Sequence, residues 1–270
     1  MNNTFDIQRF GLLLKRQWLE FGKIYLISLI VLLGVFLCFY GYAYYNLLFD
    51  THFEKGNYRY QFLNFRVPLF ATSGLIFGTV VASSYFSHLG QKSRAIIDLL
   101  TPASVLEKFF GGVFFATIIA TISFFGIFYF TDLVFVMKIR SMVEDLSNSK
   151  LTAENGLGYF FTENNPNDFK PLYVVPFFIT SIFLLGSIYF NKFHYIKTAI
   201  AVMIFSGIWA AIIGKSGQVL FEGKVLIDRG QSRHMFNNKD TAELWITVIG
   251  IALTLIFWAI TYVRLKEKEV

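Results

Sequence analysis

Long apolar runs, each bounded by charge, dominate this chain. Stretches free of Asp, Glu, Lys and Arg cover residues 24–49, 67–91, 109–131, 171–191, 198–214 and 244–263. A bilayer core about 30 Å thick takes roughly 20 apolar residues of helix, so each run is a candidate span. Trimmed to their apolar cores, the predicted spans are 24–45, 68–86, 109–131, 172–190, 195–213 and 244–263. The fifth has Lys197 near its start, and that ammonium must snorkel to the interface. The pattern predicts an all-α polytopic membrane protein, with six transmembrane helices in one transmembrane domain over residues 1–270. A signal peptide is not expected. Met1 to Lys23 is too polar, and the first apolar run is too long and lacks a small-residue cleavage site.

The flanks carry a second periodicity. In FDIQRFGLLLKRQWLEFGK, Phe10, Leu13, Leu14, Trp18 and Phe21 recur at spacings of three and four, with Arg9, Lys15, Arg16, Glu20 and Lys23 largely opposite. That pattern predicts an amphipathic helix in the headgroup plane, its basic face toward anionic lipid. Between spans two and three runs SHLGQKSRAIIDLLTPASVLEKFF. Ile96, Ile97, Leu99 and Leu100 form a short apolar face beside Lys92, Arg94 and Asp98. Thr101 before Pro102 is one candidate start for the next helix. Ser104 and Glu107, at capping-box spacing, are the other. The picture is a short helix, a sharp break and a helix re-entering the membrane. The longer segments 138–171 and 214–243 are richer in Asn, Gly and charge, and 150–171 reads as an irregular loop.

Composition agrees with a membrane protein. Hydrophobic residues make up 55% and charged residues 16%, where a soluble domain carries about 25% charged residues. The 33 Phe suit lipid contact and interfacial anchoring. The net charge of +6 reads as membrane-flanking Lys and Arg, not as a nucleic-acid surface. With both termini inside, Lys and Arg divide evenly, twelve of the 24 on each side. The inner loops are shorter and so denser in positive charge, and most acids fall outside, which favours cytoplasmic termini.

Sites of chemistry are sparse. Cys38 is the single cysteine, so neither a disulfide framework nor a thiolate metal site is expected. His52, His88, His194 and His234 have no metal-ligand spacing. Gly214-Lys215-Ser216 resembles the end of a phosphate-binding loop, but Trp209 stands where the first glycine belongs. Gly217 and Gly223-Lys224 are one residue too far apart, with Val225 in place of the Ser or Thr that would hold magnesium. No catalytic, cofactor or metal residues are therefore predicted. Asp132 is the one acid in a long apolar context; near the end of span three it reads as interfacial and solvated, with an ion pathway the alternative. Small residues at intervals of four mark close helix contacts: Gly74, Gly78 and Ala82; Gly112, Ala116 and Ala120; Gly207 and Ala211. The default is packing within the chain, the alternative a seam between two chains.

The order of these parts resembles the permease subunits of type-2 ABC exporters: an amphipathic N-terminal helix, six spans, a helical cytoplasmic loop after span two and a longer outer segment before span six. The local resemblance lies in SYFSHLGQKSRAIIDLLTPASVLEKFFGGVFF, residues 84–115, and the Phe-, Asn- and Lys-rich wording is similar to such permeases from Bacteroidota. The polar segment 214–243 departs from the family's re-entrant outer helices. The resemblance implies a subunit of the bacterial cytoplasmic membrane that pairs with a second permease copy, in a homo- or heterodimer. It also implies a separate ABC ATPase that performs the hydrolysis, so the chain itself is not an enzyme. The loop 87–108 would carry the ATPase-coupling contact, with Lys92, Arg94, Ile96, Ile97, Leu100, Pro102 and Glu107 in it. The competing class is a non-transporting multipass anchor, assembly or immunity protein, which predicts no ATPase partner.

Overall fold

The computed structural model of the protein describes residues 5–49, 65–90, 100–147, 160, 174–221 and 239–268. Every regular element among them is helical: α1 (Ile7–Phe49), α2 (Arg66–Tyr85), a short 3-10 turn (Ser87–Gly90), α3 (Val105–Val113), α4 (Ala120–Ser147), α5 (Val175–Tyr189), α6 (His194–Phe221) and α7 (Lys239–Lys268). Five stretches are long and apolar enough to cross a membrane: Ile7–Asn46, Arg66–Tyr85, Val105–Ser141, His194–Ser216 and Glu243–Lys268. They match five of the six predicted spans. The fourth corresponds to α5, an apolar helix of 15 residues, about 22 Å long at 1.5 Å per residue and so shorter than the bilayer core. Residues 172 and 173 of that predicted span lie outside the described residues.

The N-terminal region differs from expectation in its continuity. Asp6 caps α1, its Oδ1 accepting the Gln8 N–H at 2.9 Å and its carbonyl accepting the Phe10 N–H. From there the helix runs unbroken through 43 residues, about 65 Å. The amphipathic stretch is thus the first half of a long helix and not a separate element. No proline or second cap interrupts the sequence, so the helical hydrogen-bond ladder has no reason to stop at Lys23.

The chain divides into two compact units, Met1–Val81 with Phe110–Asp168, and Ala82–Phe109 with Phe169–Val270. In the first, α1 packs along α4, and the core consists of Leu32, Phe36, Tyr40, Leu69, Phe77, Val81, Phe124 and Phe128 with neighbours. Lipid tails are as apolar as these side chains, so hydrophobic transfer contributes little and packing geometry must hold the helices. Edge-to-face rings supply it: Phe36 meets Phe128 at 5.4 Å, and Phe70 meets Phe128 at 4.8 Å. Gly74 permits the closest approach, since a Cβ there would sit 3.0 Å from the Phe124 ring. Ala116 and Ala120 are also buried. The first two small-residue stripes thus include positions packed within the chain.

Between α3 and α4 the helix widens. Phe114–Ile119 forms a π-helical segment, and the Ala120 N–H reaches back to the Phe115 carbonyl. The Tyr25 hydroxyl of α1 donates to the Ile119 carbonyl at 3.2 Å, supplying a donor where the regular ladder is disrupted. Trp18 stacks on Phe115 in the same segment.

In the second unit α5 packs most extensively on α7, then on α6. Gly186 is required at the α5–α6 crossing, because a Cβ there would overlap the Thr198 hydroxyl and lie 2.8 Å from its methyl. Gly250 of α7 meets Val174 at 3.1 Å in the same way. Buried hydroxyls turn back on their own helices: Ser181 donates to the Phe178 carbonyl, Ser187 to Leu184, Thr198 to His194, and Thr261 to Phe257. No hydroxyl proton is then lost to an apolar environment. The third small-residue stripe behaves unlike the others. Gly207 and Gly214 have nothing within 4 Å of a built Cβ, and α6 is exposed from Met203 through Ile212.

Candidate functional site

Of the seven residues assigned to the coupling contact, Lys92, Arg94, Ile96 and Ile97 lie outside the described residues. The other three sit where the loop returns to helix. Leu100 is 77% exposed, Pro102 is exposed, and α3 begins at Val105. Its cap is Ser104, which decides between the two predicted starts. The Ser104 N–H donates to Glu107 Oε2 at 2.8 Å, and the Glu107 N–H donates to Ser104 Oγ at 3.2 Å. That reciprocal pair is a capping box, and it excludes Thr101–Pro102 as the helix start. Glu107 is fully buried, its carboxylate turned inward to the cap, and so fixes where the loop ends. Its acidic group also complements the positive end of the helix dipole.

Asp132 is the largest departure from the sequence reading. It is 2% exposed, not solvated. The Tyr40 hydroxyl of α1 donates to its Oδ1 at 2.7 Å, the Arg66 guanidinium of α2 donates to the same oxygen at 3.2 Å, and the Phe160 N–H donates to Oδ2 at 3.1 Å. Arg66 is itself buried. Aromatic rings enclose the group: Phe65 and Phe135 lie 5.2 and 5.3 Å from Tyr40, and Phe160 lies 5.1 Å from Phe70 and 5.0 Å from Phe128. An ion pair in such a place holds only if hydrogen bonds satisfy the remaining lone pairs, and here both carboxylate oxygens are engaged. The arrangement ties α1, α2, α4 and the segment at Phe160 to one charge. It suits a fixed joint between these segments.

A signal for this joint was present in the sequence. Tyr40 lies late in span one, Arg66 immediately before span two and Asp132 immediately after span three. Successive spans reverse direction, so all three belong at one membrane depth. Taken alone, Asp132 read as interfacial. Among the described residues no three of His, Cys, Asp and Glu gather into a metal-binding group. Comparison with protein-family models, curated proteins and solved structures finds no match to this chain.

Proposed function

We propose that this chain is the membrane-embedded permease subunit of an ATP-driven exporter, coupled to a separate ABC ATPase through the loop 87–108. Its setting would be a bacterial cytoplasmic membrane, with six spans and both termini cytoplasmic. A second permease copy, identical or homologous, would complete the pathway. The basic face of the first half of α1, with Arg9, Lys15, Arg16 and Lys23, would lie against anionic headgroups on the cytoplasmic side.

The observation that carries this reading is the junction between α2 and α3. An exposed leucine, Leu100, stands directly before a buried capping box that sets the start of α3. A loop held so firmly at its exit, with an apolar sequence at 96–100, suits burial in a groove of a partner better than free hydration. The polar residues Lys92 and Arg94 would sit at the rim of that contact.

Burying one aliphatic side chain is worth roughly 1.5–3 kcal/mol. Ile97→Asp should therefore weaken ATPase docking tenfold or more, while expression and membrane insertion stay at wild-type levels. The test is co-purification of the ATPase with the tagged chain in mild detergent. Failure to recover any ATPase with the wild-type chain would favour a non-transporting anchor or assembly factor. Equal recovery with Ile97→Asp would sink the coupling assignment.

A further inference from the structure

In the second unit, one recess gathers the ends of several helices. Ser83 and Ser84 at the close of α2, Ser87 of the 3-10 turn, and Phe193, His194, Tyr195 and Ile196 at the start of α6 line a hollow of about 290 Å³. That is at the lower edge of the roughly 300–1,000 Å³ of ligand pockets, with room for a phosphate headgroup. Ser83 is 97% buried, from its 3% exposure, and lines the hollow. The His194 ring lies beside the Phe190 and Ser187 carbonyls, yet its buried Nδ1 makes no hydrogen bond of good geometry. Phe193 holds φ 56, a left-handed conformation that is unfavourable for a residue other than glycine. Such strain persists where the surrounding structure needs the turn.

Among the described residues the charge around the recess is mainly positive. Lys197 and Lys268 both act electrostatically on His194. The Lys268 ammonium donates to Asn191 Oδ1 at 3.4 Å, and Lys197 lies 5.7 Å from the centre of the Phe190 ring. Lys192 and Lys266 are exposed on the same helix ends. Arg264 sits over Tyr189 at 5.5 Å and pairs with Glu267 at 2.7 Å. Among the described residues no carboxylate forms a salt bridge with Lys192, Lys197, Lys266 or Lys268. Exposed apolar side chains adjoin this charge: Phe193 is 71% exposed, and Tyr189 and Ile196 are exposed as well.

We propose that this recess binds the phosphate of an anionic membrane phospholipid. The Ser83 hydroxyl and the imidazole would donate to the phosphate oxygens, and Lys197 and Lys268 would supply charge; the Ser87 hydroxyl already donates to the Ser84 carbonyl at 2.7 Å. Phe193, Tyr189 and Ile196 would meet the glycerol and upper acyl chains. The free phosphate ion shares the headgroup's chemistry but would leave those apolar groups uncovered. The placement fits as well. α2, α5 and α7 end here and α6 begins here, so the recess lies at a membrane–water boundary, where anionic lipid concentrates cations. This inference needs only membrane embedding and stands apart from any role in transport.

The test uses the purified full-length chain in detergent, with lipid binding read by native mass spectrometry and by thermal stabilisation. The probes are dioleoyl phosphatidylglycerol, dioleoyl phosphatidylcholine and inorganic phosphate. Phosphatidylglycerol should bind at least tenfold more tightly than phosphatidylcholine, and inorganic phosphate at the same concentration should give no stabilisation. Lys197→Gln with Lys268→Gln should lower phosphatidylglycerol affinity about tenfold, both positions being exposed and so tolerant of substitution. Lys138→Gln with Lys215→Gln removes equal charge from exposed positions of α4 and α6 and should leave phosphatidylglycerol affinity unchanged. Equal binding of the two lipids would overturn the proposal, as would an equal loss in both double variants or no loss at positions 197 and 268. Stabilisation by inorganic phosphate to the level of the lipid would overturn the choice of a lipid.

Discussion

Asp132→Ala is the most informative single perturbation of the first unit. It removes the acceptor of three hydrogen bonds and takes from the Arg66 guanidinium its salt-bridge carboxylate, where the Arg66 side chain is 6% exposed. Breaking a buried pair by deleting one partner costs about 3–5 kcal/mol. Helices unfolded within a membrane keep some polar partners, so the lower end applies, about 3 kcal/mol or roughly 150-fold in the folding equilibrium. Replacing both partners together, as Arg66→Met with Asp132→Leu, removes the ion pair whole but leaves the Tyr40 hydroxyl and the Phe160 N–H without their acceptor, so it should recover only part of that loss. Tyr40→Phe keeps the ring packing and loses one charge-assisted bond, worth about 1.5–3 kcal/mol. Reversible unfolding by SDS in mixed micelles measures all four chains, and the order predicted is wild type, then Tyr40→Phe, then the double variant, with Asp132→Ala lowest. A loss under about 1 kcal/mol for Asp132→Ala would show that solvent reaches the carboxylate. A double variant as unstable as Asp132→Ala would show that the hydrogen bonds, not the charge left on Arg66, set the cost.

Glu107→Ala should destabilise the start of α3 by about 0.5–2 kcal/mol, read as faster hydrogen exchange at amides 104–108, while Glu107→Gln, which can still close the box, keeps most of the protection. Gly186→Ala should cost about 1–3 kcal/mol by overpacking the α5–α6 crossing, and Thr198→Ala in the same chain should restore most of it in thermal unfolding. Phosphatase fusions after Val270, Asn148 and Asn238 should be inactive at the first position and active at the other two. Activity at Val270, or none at Asn148, would refute six spans with cytoplasmic termini.

Hydropathy located the helices because it measures how badly a segment would sit in water, and five of the predicted spans are helices long and apolar enough to cross a bilayer. It says nothing about where a spanning helix stops once it leaves the apolar core. Hence α1 begins at Ile7, where Asp6 supplies the cap, and not at the edge of the apolar run. Capping chemistry left two candidate starts for α3, and the one that forms is the Ser104–Glu107 box, a local pattern complete within four positions. The π-helical segment was not legible, since Phe114–Ile119 carries no proline or glycine and its disrupted ladder is met by Tyr25, 94 positions away. Asp132 failed for a related reason. A charge beside an apolar run has two ways to avoid lipid, water at the boundary or a partner inside the protein, and a one-dimensional scan prefers the first. Tyr40 and Arg66 show the second, and only the alternation of span direction, applied to polar residues as well as apolar runs, brings the three together. For a chain this apolar, pairing charges by membrane depth is the step that turns a list of spans into a packed structure.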